Sequence, residues 1–147
     1  PAAPSAAPAA TPASPAATGI FGTPTLLTVV EPLLEGFAAA DSDPVASVDS
    51  LLATLNLTRF LLADREAALA PGTLQRLCRA RLEPLDAHLR RCMDGMWSQI
   101  QAAERRGGGG GSGTAELTEL QSRFTHIHLA TDVTQRTIEL CKSRGTT

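Results

Sequence analysis

Residues 74–100 read LQRLCRARLEPLDAHLRRCMDGMWSQI, residues 107–113 read GGGGGSG, and residues 117–141 read LTELQSRFTHIHLATDVTQRTIELC. In the first stretch Leu74, Cys78, Leu82, Leu85, Leu89, Cys92, Met96 and Ile100 step forward by threes and fours. Leu117, Leu120, Phe124, Ile127, Ile138 and Cys141 keep the same rhythm in the last, with Thr131 and Thr134 filling the middle. Such spacing lines one face of an α-helix, whereas a half-buried strand needs strict alternation. Two striped helices joined by a glycine run predict an all-α fold, a helical hairpin or small helix bundle with coiled-coil-like heptad stripes. The run has a coil dimension of roughly 15 Å, ample for an antiparallel return between helices about 8–10 Å apart. Its composition fits a native low-complexity loop and an engineered joint equally well.

Upstream, residues 1–23 are dominated by Pro, Ala, Ser and Thr and hold too little large apolar surface to offset backbone ordering, so a disordered tether is expected. Residues 24–106 form the first helical segment, with three helices and kinks near Pro32 and Pro84. Leu26, Leu27, Val29, Val30, Leu33, Leu34 and Phe37 are dense enough for a short buried helix. After it, Asp43 can cap a new helix with Pro44 at its first position. Val48, Leu52, Leu55 and Leu62 make the stripe of that helix, which reads as extending from Val45 to Leu69, with Leu51, Phe60 and Leu61 widening it. Ala70-Pro71-Gly72-Thr73 reads as a turn with Thr73 as the next cap. Because the stripe keeps its phase from Leu82 to Leu85 to Leu89, Pro84 predicts a bent but continuous helix. The C-terminal amphipathic helix is expected over residues 114–143. Its polar middle implies either a polar partner surface or a second packing face through Leu129, Val133 and Leu140.

With 147 residues and only 3% aromatic content, the chain has room for one modest core of leucine, alanine and valine. A formal net charge of -2 provides no field to draw nucleic acid or an anionic membrane. Arg76, Arg79, Arg81, Arg90, Arg91, Arg105 and Arg106 are interleaved with Glu83, Asp86, Asp94 and Glu104, the pattern of an ordinary charged helix face. Cys78, Cys92 and Cys141 fall on the stripes without C-x-x-C spacing and read as buried free thiols in a reducing compartment. No stretch is long and apolar enough to span a membrane. An intracellular, cytoplasmic location is expected. The chain opens on Pro1, so it reads as a fragment or processed product from which a targeting segment can have been lost.

The residues offer little chemistry. His126 and His128 are two apart and point to different helix faces, with no ligand set to complete a metal site. His88 stands in a charged stretch and reads as a surface residue. No nucleophile elbow, phosphate loop or dinucleotide fingerprint is present, and the polyglycine lacks the Lys-Ser/Thr of a phosphate loop. No enzyme activity, cofactor, metal or small-molecule substrate is expected. Helices of this kind gain most of their stability from packing partners, so the expected role is a non-enzymatic assembly or scaffold subunit that completes a bundle with helical partner chains or with itself. The stripe residues assigned to that interface are Leu89, Met93, Met96, Trp97, Ile100, Leu117, Leu120, Phe124, Ile127 and Ile138. Core filling by Met93, Met96 and Trp97 is the competing reading; an interface role requires Trp97 to be accessible. A secreted four-helix signalling protein, which needs a Cys–Cys bridge, and a monomeric peptide-binding adaptor are the alternative functions.

Overall fold

The computed structural model describes residues 22–106 and 111–146. The tether expected over residues 1–23 therefore lies outside the described residues except for Gly22 and Thr23, and so do residues 107–110 of the glycine run. The described chain is helical throughout its ordered elements: α1 (Thr23–Ala38), α2 (Val48–Leu62), α3 (Pro71–Arg76), a π-helical turn (Leu77–Leu82), α4 (Glu83–Arg105) and α5 (Gly111–Thr146). Among the described residues there is no strand. The helices close around one core in which Leu27 and Leu34 of α1, Leu51 and Leu55 of α2, Leu77 and Leu82 of the π turn, Leu85 and Leu89 of α4, and Ile127 of α5 are fully buried. Helix α5 packs along α2, α3, the π turn and α4, while α1 packs on α2, the π turn and α4.

Local chemistry sets the helix ends. Pro24 sits in the first turn of α1, and the Leu26 N–H donates to Gly22 O at 3.0 Å. Pro32 does not restart this helix; α1 runs through it, because the proline lies on the exposed side, where a carbonyl robbed of its donor can still reach water. At the far end Ser42 Oγ donates to Phe37 O at 2.6 Å. Asp43 Oδ1 accepts from the Val45 and Ala46 N–H groups at 3.1 and 3.3 Å, so it caps a turn and α2 proper begins later, at Val48.

Helix α2 stops at Leu62, short of the expected Leu69. Arg144 from the end of α5 donates to Leu62 O, Asp64 O and Ala67 O at 2.7, 2.8 and 2.9 Å, and those contacts hold residues 63–67 in an irregular path. Helix α3 starts on Pro71 as a first-turn residue with Ala70 before it, not on a Thr73 cap. The expected bend before Pro84 takes the form of the π turn, whose register is marked by the Glu83 N–H donating to Cys78 O five residues back. Pro84 falls where the spacing returns to four, a position at which a missing donor is least costly.

Helix α5 starts at Gly111 and ends at Thr146, three residues beyond the expected limits at both ends. Its polar middle is buried, and neither a polar partner nor Leu129 accounts for it. Thr131, Thr134 and Thr137 return their hydroxyls to Ile127 O, Ala130 O and Val133 O at 2.9, 2.7 and 2.7 Å and present their methyls to the core. Val133 is buried and Leu140 packs against the core, whereas Leu129 remains 47% exposed.

Candidate interaction surface

Five residues assigned to a partner interface are buried within the chain itself. Leu89, Met96, Ile100, Ile127 and Ile138 are buried between α4, α5 and their neighbours. The physical reason is closure: α4 and α5 fold back on one another and α1, α2 and the π turn cover what remains. Met93, Leu117, Leu120 and Phe124 are half-buried. Trp97 departs from the core reading, since it is 50% exposed and rests on Phe124 with ring centroids 5.7 Å apart. Phe124 in turn lies 6.4 Å from the exposed His128 ring.

The larger apolar exposure lies on a hairpin to which no interface residue had been assigned. Val29 (57%) and Leu33 (49%) of α1, and Leu57 (41%) and Phe60 (74%) of α2, all face solvent. In α1 the buried Leu27, Val30 and Leu34 set the inward face. Glu31 and Glu35 turn to the flank held by the α3–π segment: Arg76 Nε lies 2.9 Å from Glu31 Oε1, and Arg81 reaches Glu31 at 3.4 Å and Glu35 at 3.3 Å. Val29 and Leu33 are each two residues from those glutamates, about 160° around the helix, and so lie away from the α3–π flank. Half-buried Leu26 and Phe37 join them to the core.

The antiparallel register sets Val29 and Leu57 at similar heights. Thr23 Oγ1 donates to Asp64 Oδ2 at 2.7 Å, which aligns the start of α1 with the end of α2. At about 1.5 Å per residue, Val29 and Leu57 both lie roughly 9–10 Å from that bond, with Phe60 nearer and Leu33 farther. The four exposed side chains are spread over about 6–15 Å from that bond on the solvent side of the hairpin, as an apolar ledge. Charge is sparse there and one-sided. Every one of the 13 Lys and Arg residues lies at or after Arg59, whereas residues 22–58 carry Glu31, Glu35, Asp41, Asp43 and Asp49 and no base.

His88 is buried, not superficial; its Nε2 lies 3.3 Å from both Ser42 Oγ and Ser42 O and ties α4 to the α1–α2 loop. His126 and His128 are exposed. Cys78, Cys92 and Cys141 are free thiols. Burial raises the pKa of all three, with Glu83 adding to the effect at Cys78 and Asp43 at Cys92; Cys141 is pushed up to about 11, chiefly by burial and then by Cys78. Protonated thiols of this kind are poor nucleophiles and poor metal ligands. Cys78 and Cys141 line a groove of about 510 Å³ with Arg79, Glu83 and Lys142. Among the described residues no cluster of three metal-ligating side chains exists, and no helix is long and apolar enough to cross a membrane. No family model, curated protein or solved structure matches the chain.

The ledge carried a signal in the sequence. Seven large apolar residues within Leu26–Phe37 are more than one inward stripe can use. Burial accounts for Leu27, Val30 and Leu34, Leu26 and Phe37 pack at the core's edge, and Val29 and Leu33 face out.

Proposed function

We propose that this chain is a non-enzymatic helical assembly subunit, and that the outer face of the α1–α2 hairpin is where it docks against the apolar face of a helical partner chain. The observation that carries the reading is the exposure of Val29, Leu33, Leu57 and Phe60 on a hairpin whose inner face is already packed. Single exposed leucines are ordinary on protein surfaces; four large apolar side chains exposed on adjacent helices, with no basic residue before Arg59, are the composition of an interface core. The Trp97–Phe124 pair is a smaller aromatic surface at the other hairpin, set among charged neighbours such as Asp94 and Arg123. It ranks second as a contact.

Assembly is tested by placing a photo-crosslinking amino acid at position 60 in cells, with position 136 on the charged face of α5 as the control. The expected result is one or two discrete adducts of defined mass from position 60 and none from position 136. Equal, diffuse labelling from both positions would contradict the proposal.

A further inference from the structure

We propose that Cys78 and Cys141 form a thiol-exchange site, at which a low-molecular-weight disulfide is reduced and the two sulfurs close into a disulfide tying the π turn to α5. The residues come from distant parts of the chain and line one groove of about 510 Å³, between α3, the π turn and the last turns of α5. Cys141 Sγ donates to Leu74 O at 3.2 Å. Leu74 lies four residues before Cys78 on the same side of the α3–π segment, so the Cys141 sulfur rests about one turn from Cys78. Burial comes first in raising the Cys141 pKa, but the Cys78 thiol adds to it and the Cys78 N–H opposes it, effects that make the two residues close neighbours. Cys92 stands elsewhere, with its Sγ 4.0 Å from His88 Nε2, and does not line the groove.

Cys78 is the attacking thiol. It is 6% exposed against 1% for Cys141. Burial and then Glu83 oppose its ionisation, whereas Lys142 and Arg79, which also line the groove, favour it. Its sulfur gives its proton to water and attacks one sulfur of the incoming disulfide; that S–S bond breaks, and one half leaves as a thiolate that takes up a proton. Cys141 then loses its proton and attacks the Cys78 sulfur of the mixed disulfide, releasing the second half as a thiol in the same way. Two protein thiols are oxidised, one small disulfide is reduced to two thiols, and no other oxidant is consumed. For the bond to close, the Cys78 side chain rotates away from Glu83 Oε2, to which its thiol donates at 3.6 Å. Burial holds both thiols protonated, which slows the first step without changing which sulfurs meet. The bond fastens α5 to the π turn three residues before Arg144, the side chain that reaches the end of α2.

Overnight incubation of the folded, reduced chain with excess oxidised glutathione at pH 8, followed by acid quench, alkylation and peptide mass mapping, tests the site. In wild type, at least half of the chains are expected to carry the Cys78 peptide joined to the Cys141 peptide within one chain, with Cys92 outside the bond. C141S should stop one step earlier and retain one glutathione on Cys78. C78S should leave Cys141 alkylatable, and C92S should still form the bond. Circular dichroism checks that each variant stays helical, and the wild-type map decides by itself if one of them unfolds. The inference is overturned if Cys78 and Cys141 of wild type both remain alkylatable, or if glutathione stays on Cys78 without being displaced. Pairing of either residue with Cys92 or with a second chain would also overturn it, as would a Cys78–Cys141 bond that forms only in urea.

Discussion

Glu31 is the ionisable side chain most deeply set in α1, and its fate shows how a charge is tolerated beside a leucine core. Bidentate contact with Arg76 at 2.9 Å on both carboxylate oxygens, with Arg81 beside it, holds its carboxyl below the usual range despite partial burial. A lowered folded-state pKa means the unfolded chain binds the proton more readily. The stabilisation is therefore present above the unfolded value near 4.5 and is lost as pH falls through the lower folded value. Urea unfolding at pH 7 and pH 3 should accordingly reveal an acid-induced loss of stability that is smaller in E31Q than in wild type. An equal loss in both chains would place the acid sensitivity elsewhere. The buried threonines of α5 make the complementary point: they look polar in the sequence, yet each hydroxyl is satisfied by the preceding turn of its own helix and the residue packs as a small apolar one.

Helices α1 to α5 owe their existence to local rules and their limits to distant ones. The rhythm Leu74 to Ile100 and the heptads around Phe124 announce helices because the 3.6-residue period is written in the chain itself. The end of α2 is different. It combines a local turn, in which the Glu66 N–H donates to Asp64 Oδ1 at 3.1 Å, with a guanidinium about 80 residues downstream at Arg144. Replacing Arg144 by alanine leaves three carbonyls without that donor and should cost about 2 kcal/mol of unfolding free energy, with earlier proteolysis in the segment 63–70. Wild-type stability in R144A would mean that water serves those carbonyls equally well. Pro84 was readable as a disturbance, but its outcome as a π turn depends on the packing of Leu77 and Leu82 on either side of it, both fully buried.

At the scale of the whole molecule, the all-α class and the antiparallel return of α4 and α5 were legible from stripe and glycine run, and Arg106 reaching Glu116 at 3.2 Å is one contact across that return. The docking face proposed above was not. A stripe states that a side chain needs cover, without saying whether the cover comes from the same chain; Leu89, Met96, Ile100, Ile127 and Ile138 find it internally, while Val29, Leu33, Leu57 and Phe60 do not. Among the described residues apolar matter is thus divided between a closed core and side chains left open on α1 and α2, at Trp97 and at Leu129, and α1–α2 is where the proposed assembly should be felt. Hydrogen exchange compared between the dilute isolated chain and the chain in its native assembly tests that division most directly. Slower exchange across Thr23–Leu62 with unchanged exchange across residues 115–126 is the predicted result. Protection confined to residues 115–126, with α1 and α2 exchanging as they do alone, would contradict it.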